Sequence, residues 1–134
     1  MIDGFVASLV GLPWQRDGLH CWALVTKVQR DLFDRSLPVG LTVAPESKLS
    51  LARLFVAGIE TETGWQEVPV PAHGAVALMH RHGAAATALI HCGCWLAIDG
   101  GGVLHTDDPH GVVFDDLAAL RARNWCARWF IPKA

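Results

Sequence analysis

Three side chains of this sequence have the types that nucleophilic catalysis requires: the thiol of Cys21 and the imidazoles of His91 and His105. A cysteine nucleophile needs a neighbouring base to accept its proton, and the base needs a partner that orients it. Cys21 follows a loop, residues 16–20, and opens a segment with helical periodicity. Because unpaired N–H groups and the positive dipole end at a helix N-terminus favour a thiolate, this position predicts a reactive cysteine beside an oxyanion site.

Each of these residues also has a structural interpretation. Cys21 fits as a small apolar residue on a buried helix face, and His91 fits as a hydrogen-bonded histidine inside an apolar strand. The spacing of the two histidines raises a question of register. For them to meet, the hairpin must be centred near Ile98, whereas a tight turn at Gly100-Gly101 places them out of register. The glycine run permits an asymmetric or bulged connection that would let them meet.

Hydrophobic periodicity predicts the elements that carry these residues. Helices are predicted over residues 2–10, 21–34 and 46–59, and the second has the clearest core-facing stripe. Strands are predicted over residues 74–80, 87–98, 103–106, 111–114 and 125–131. Helices followed by an antiparallel sheet define an α+β fold, with the N-terminal helices packed on the C-terminal sheet.

A further helix is predicted over residues 115–124, between the last two strands. Asp115 and Asp116 stand at its start, and Arg121 and Arg123 stand at its end. This order of charges complements the helix dipole. We therefore assign both aspartates to the helix.

Length and composition predict a single folded domain over residues 1–134. Hydrophobic residues make up 51% of the chain and charged residues 18%, which excludes an intrinsically disordered protein. The net charge of −2 provides no basic footprint for nucleic acid. The apolar N-terminus lacks a basic start and is too short to span a bilayer, so we expect no signal peptide and no membrane insertion.

A zinc site is a competing interpretation of the histidines and cysteines. The candidate ligands are His91, Cys92, Cys94, His105 and Cys126. On an extended strand, however, His91 points away from Cys92 and Cys94, and the Cys-x-Cys pair lacks a second close-spaced pair. We therefore expect no metal and no other cofactor, and interpret these cysteines as buried apolar residues.

Longer motifs surround the three candidate residues. The segment VGLPWQRDGLHCWALVTKVQRDLFDRSLP, residues 10–38, resembles the first half of NlpC-type cysteine peptidases, which have a Gly-x-Pro-aromatic turn and a Gly-x-Asp-Cys helix start. The stretch PAHGAVALMHRHG and the later ALIHCGCWLAIDGGGVLHTD are similar to the Pro-x-x-Gly-Asp strand, the His-Val-Gly strand and the following His strand of that family. The final GVVFDDLAALR and WCARWFIP resemble the small phage-encoded members, so the resemblance spans nearly the whole chain.

The resemblance implies a papain-like NlpC-type fold and a role for each residue. Cys21 would be the nucleophile, with its own N–H in the oxyanion site. His91 would be the general base and then the acid, and His105 would orient the His91 ring. The family hydrolyses bacterial cell-wall stem peptides, typically between D-γ-glutamate and a diamino acid, so peptidoglycan is the implied substrate. The phage-encoded relatives imply a protein made in the bacterial cytoplasm and carried to the wall in a virion with other tail-tip proteins.

The chain departs from the family pattern near the site. His20 stands where the family has an aspartate before the nucleophile, Ala75 replaces the aspartate after the Pro-x-x-Gly turn, and Cys92 replaces the valine of His-Val-Gly. His20 could bring a second positive charge to Cys21 or could lie in an exposed loop. Trp14 stands at the position of the family's tyrosine beside the oxyanion site.

Substrate contacts are expected from the aromatic residues around the nucleophile. Trp14 and Trp22 flank Cys21 and could line a substrate groove with His20. Two other functions remain open. The chain could be a phage tail-tip component that keeps the fold with an idle site, or an amidase or acyltransferase that uses the same three residues.

Overall fold

The computed structural model describes residues 2–37 and 64–133. The helices are α1 (Ile2–Leu9), α2 (Cys21–Phe33) and α3 (Leu117–Ala122). The strands are β1 (Trp65–Val68), β2 (Val76–Arg81), β3 (His91–Leu96), β4 (Gly102–Asp107), β5 (Gly111–Asp115) and β6 (Trp125–Pro132). The helix predicted over residues 46–59 lies outside the described residues.

The described strands form one antiparallel sheet in the order β1-β6-β2-β3-β4-β5. Strands β2 to β5 follow one another as neighbours, and β6 returns to lie between β1 and β2. This sheet with its helices confirms the predicted α+β class. No helix in the described ranges is both long and apolar enough to cross a membrane.

The two faces of the sheet are covered by different helices. One face, which we call the α2 face, carries Cys92, Cys94 and Leu104 in a buried cluster with the apolar side of α2. The opposite α3 face carries Val103 and Trp129 among others, in a cluster with Leu120 of α3. Since successive strand residues alternate between faces, each strand contributes to both clusters.

Helix α2 has defined ends and one buried side. The His20 side chain caps its N-terminus, and Asp34, in the left-handed conformation at φ 53°, closes its C-terminus. Its fully buried residues include the polar Gln29. The Gln29 amide donates to the Gly74 carbonyl at 2.9 Å and contacts Cys94 Sγ at 3.3 Å, which fixes the C-terminal half of α2 on the sheet.

Several predicted boundaries differ from the structure. Strand β3 begins at His91 rather than residue 87, because residues 85–88 form a hydrogen-bonded turn. Strand β1 was not predicted, since four residues at a sheet edge carry too short an alternation to stand out. Asp115 ends β5 instead of starting a helix, and the helix N-cap is Asp116.

Candidate active site

His91 and His105 contact each other on the α3 face. The hairpin is centred on Asp99, so His105 lies opposite Gly93 rather than opposite His91. The two histidines are therefore diagonal neighbours on adjacent strands, a distance that long or aromatic side chains can span. His91 Nε2 lies 2.9 Å from His105 Nδ1. The sequence spacing predicts that the histidines meet only if the hairpin is centred near Ile98. That expectation is wrong, because the five-residue connection lets the two rings meet diagonally.

Gly93 makes room for this contact. A Cβ atom at Gly93 would lie 2.6 Å from Val103 Cγ1, 2.8 Å from Leu104 O and 2.9 Å from His105 Cβ. These distances are too short for any side chain, so β3 could not keep its place beside β4. The glycine two residues after His91 is thus required by the approach of the histidines.

A buried carboxylate extends the histidine pair, and its role is not evident from the sequence pattern. His105 Nε2 lies 2.8 Å from Asp115 Oδ2, and Arg123 Nε donates to the same oxygen at 2.7 Å. The sequence pattern predicts Asp115 at a helix start, whereas the structure puts it at the end of β5. Strand alternation could have identified it, since Val113 pairs with His105 and Asp115, two residues on, shares its face. We call His91, His105 and Asp115 the relay.

The relay fixes the positions of its protons. A carboxylate only accepts hydrogen bonds, so His105 Nε2 carries a hydrogen and donates it to Asp115. In neutral His105 the other nitrogen, Nδ1, is an acceptor, and His91 Nε2–H donates to it. His91 Nδ1 is then the ring atom that can accept a proton from a thiol.

Asp115 is ionised within this chain of hydrogen bonds. Burial raises the pKa of the Asp115 carboxyl, but the hydrogen bonds and positive charges of His105 and Arg123 outweigh that effect and hold the pKa below its ordinary value. Asp115 is 6% exposed and His105 is fully buried. The hydrogen bond between them is therefore shielded from water, which strengthens its orienting effect.

The structure places Cys21 at the end of the sheet where β3 begins. Cys94 Sγ lies 4.0 Å from the Val25 carbonyl, and Gln29 contacts residues further towards the start of β2. Because the start of β2 lies beside the end of β3, helix α2 runs in the same direction as β3. Cys21 lies one turn before Val25, about 6 Å towards the helix N-terminus, and two residues of β3 cover about the same distance back from Cys94.

Cys21 and His91 nevertheless belong to different faces of the sheet. Cys21 joins the core cluster on the α2 face, whereas the His91 ring lies on the α3 face against His105. They can approach only around the end of β3, where His91 is the first residue. Both are almost fully buried. The pairing of thiol and imidazole stays a prediction.

His20 neither lies in an exposed loop nor brings a positive charge to Cys21, which were the two expectations from the sequence. It is buried rather than exposed, and its Nδ1 accepts a hydrogen bond from Ala23 N at 3.2 Å. Burial lowers the pKa of the ring, and the opposing charge of Asp17 only partly offsets this, so the neutral form is favoured. His20 therefore caps α2 as an aspartate would and brings no second positive charge to Cys21.

The two flanking tryptophans differ in their environment. Trp22 is 1% exposed inside the core cluster of the α2 face, so its ring does not line an open groove. Trp14 is half-buried in the loop before α2, and its Nε1 is buried without a hydrogen-bond partner among the described residues. Of the three predicted substrate contacts, Trp14 alone retains partial exposure outside the helix.

Trp125 packs on the His91 ring, and Arg81 in turn packs on Trp125. The Trp125 ring stacks on His91 with centroids 4.6 Å apart and 25° between the planes. The Arg81 guanidinium lies 3.7 Å from the Trp125 centroid, and Arg81 Nη1 donates to the Arg123 carbonyl at 2.9 Å. Neither residue was singled out as functional from the sequence.

The other cysteines are separated from the relay by the sheet. Cys92 and Cys94 belong to the cluster on the α2 face, opposite the His91 ring. Burial raises the pKa of the Cys94 thiol to about 12, which makes it unreactive. Across residues 2–37 and 64–133, no three His, Cys, Asp or Glu side chains are grouped as metal ligands.

No protein-family model matches this chain, and no curated protein is significantly similar to it.

Proposed function

We propose that this protein is a papain-like cysteine hydrolase in which Cys21 is the nucleophile and the relay orients and polarises its base. The observation that carries the proposal is the continuous hydrogen-bonded series from His91 through His105 to Asp115. A buried imidazole held by a second imidazole and a carboxylate has the form of the base and orienting groups of nucleophilic hydrolases.

The reaction would proceed through a thioester. His91 Nδ1 accepts the Cys21 proton, and the thiolate attacks the carbonyl carbon of the substrate. The N–H groups at the start of α2 stabilise the oxyanion that forms. When the C–N bond breaks, His91 returns the proton to the departing amine. A water molecule, deprotonated by His91, then cleaves the thioester to give a carboxylic acid and free Cys21.

The substrate follows from the resemblance of the sequence to NlpC-type peptidases. We propose cleavage of peptidoglycan stem peptides, at the bond between D-γ-glutamate and a diamino acid. By the same resemblance to phage-encoded members, the protein would act from a phage tail with other tail-tip proteins as partners. Neither metal nor cofactor takes part in the proposed steps.

The direct test is mass spectrometry of purified peptidoglycan after incubation with the protein and with Cys21→Ala. New stem-peptide fragments from the unaltered protein alone would support the proposal and identify the bond. Cys126→Ala is the matched control, because Cys126 is a half-buried cysteine on β6 and should leave the products unchanged. Identical fragments from Cys21→Ala would overturn the assignment of the nucleophile.

The burial of Cys21 favours a second candidate. At 4% exposure, its thiol is covered in the described chain, which fits a tail-tip component whose site is idle or blocked. Slow alkylation of Cys21 together with no peptidoglycan products would support this alternative. Products cut at an amide outside the stem-peptide backbone would instead indicate an amidase, and transfer to an added amine would indicate an acyltransferase.

A further inference from the structure

A pocket of about 240 Å³ opens on the α3 face beside the relay. Its lining residues are Arg81, Asp107, Asp108, His110, Arg123 and Trp125. Three of them touch the relay: Trp125 stacks on His91, the His110 ring packs edge-on against His105, and Arg123 binds Asp115. A ligand in this pocket would therefore contact the groups that hold the catalytic base.

The two guanidinium groups in the pocket are held in place. Stacking on Trp125 and the bond to the Arg123 carbonyl fix Arg81, and the bond to Asp115 fixes Arg123 through Nε. A guanidinium has five N–H donors, so each arginine keeps donors beyond these contacts. Such a pre-positioned pair suits a carboxylate, which accepts two parallel hydrogen bonds.

The pocket also contains two carboxylates. Asp107 and Asp108 line it together with the two arginines, and no ion pair within 4.0 Å joins Asp108 to either arginine in the described ranges. A simple anion would be repelled by the aspartates, and a simple cation would be repelled by the arginines. A ligand with a carboxylate and an ammonium a few ångströms apart can place the carboxylate on the arginines and the ammonium on the aspartates. The volume is enough for one amino-acid group and below that of a drug-sized site.

We propose that this pocket binds a small amino-acid-like zwitterion, with its carboxylate on Arg81 and Arg123 and its ammonium at Asp107 and Asp108. The proposal rests on the proposed function in one respect: the bound group would be the zwitterionic end of the amino acid next to the bond that is hydrolysed. Binding itself needs no reaction, so it can be measured on the Cys21→Ala protein.

Three matched probes test the charge requirement by NMR titration of Cys21→Ala. Alanine carries both charges, N-acetylalanine only the carboxylate, and alaninamide only the ammonium. We expect alanine, at millimolar concentration, to shift the Trp125 indole and His110 ring signals, and the two single-charge probes to shift them at least about tenfold more weakly. Equal effects of all three probes, or none with alanine at tens of millimolar, would overturn the proposal.

Variants assign the charges to residues. Arg81→Gln and Asp108→Asn should each weaken alanine binding by about tenfold or more, since each removes one charge-assisted contact. Arg121→Gln, an exposed arginine on α3 outside the pocket, is the control, and thermal unfolding checks that every variant folds. If Arg81→Gln binds alanine as the parent does, the site is wrong. Alanine binding without peptidoglycan hydrolysis would reject only the proposed function, and hydrolysis without alanine binding would reject only the pocket.

Discussion

At the scale of single residues, the best-defined feature is the shared partner of His105 and Arg123. Both donate to one oxygen of Asp115, a carboxylate that burial would otherwise penalise. The carboxylate in turn determines which nitrogen of each histidine carries a hydrogen. A change at Asp115 should therefore reach His91 through His105, which lies between them.

Asp115→Asn is predicted to lower kcat by roughly 10²-fold to 10⁴-fold while the protein stays folded. An asparagine has nearly the same shape, but its amide group can donate to His105 and favour the wrong tautomer. Steady-state hydrolysis of a stem peptide measures the effect. Asp116→Asn is the control, because Asp116 only caps α3 and asparagine caps equally well. Similar rates for both variants would mean that Asp115 does not orient the base.

Thiol reactivity should separate Cys21 from Cys94. We predict that Cys21 is alkylated faster than a model thiol at mildly acidic pH, because the proposed pairing with His91 and the helix N-terminus would favour its thiolate. Cys94 should remain unmodified in the folded protein, since burial raises its pKa to about 12. Peptide mapping after timed exposure to iodoacetamide measures both. Modification of Cys21 only after unfolding would support the idle-site alternative.

His20 should make stability depend on pH. Its pKa is lowered in the folded protein by burial, so between that value and about 6.5 the unfolded chain binds a proton that the folded chain does not. The free energy of unfolding is therefore complete above this range and declines as the pH falls through it. His20→Asn should keep the cap and flatten the decline, whereas His20→Ala should cost about 1 kcal/mol at neutral pH. Urea unfolding at several pH values measures both effects, and the same slope in all three proteins would exclude His20 as the cause.

At the scale of elements, the site depends on the spacing of β3 and β4. The histidines meet because the hairpin is centred on Asp99 and because Gly93 has no side chain. Helix α2 runs in the same direction as β3, which brings its N-terminus to the end of the sheet where β3 begins. The register of β3 and β4 and the direction of α2 thus determine whether Cys21, His91 and His105 can act together.

Gly93→Ala is predicted to destabilise the protein by about 1–3 kcal/mol, because the added methyl group would overlap Val103 and the backbone of β4. The His91–His105 contact should loosen as the strands separate. Denaturant unfolding measures the stability, and the ring signals of the two histidines report the contact. Gly4→Ala in α1 is the control, since nothing lies within 4 Å of its added Cβ and alanine favours helix. Unchanged stability of Gly93→Ala would show that β3 and β4 can separate without cost.

The sequence predicted most elements but not the complete site. The α+β class, α1, α2 and five of the six strands in the described ranges follow from periodicity, with errors of a few residues at their ends. Asp115 was assigned to a helix because two adjacent aspartates both suit a helix start, and only the strand register separates them. Trp125 and Arg81 were missed because β6 is brought beside β2 by a long-range crossover, which local patterns do not encode.

At the scale of the whole molecule, the stability against local opening should differ between the central and the edge strands of the sheet. Strand β2 lies between β6 and β3 with both faces covered, whereas β1 is short and lies at an edge. We predict that the amides of β2 exchange slowest with deuterium and those of β1 much faster, since edge strands open without global unfolding. Hydrogen exchange followed by mass spectrometry measures both strands. Equal protection of β1 and β2 would indicate that the sheet opens only as a unit.

The crossover of β6 has a consequence for how the protein is made. The ring that stacks on His91 and the arginine that binds Asp115 are synthesised about a hundred residues after residue 21. Strand β2 also lacks its neighbour on one side until β6 emerges. A chain that has not yet been synthesised to residue 123 therefore lacks both contacts, and hydrolysis of the proposed kind would begin only after they form.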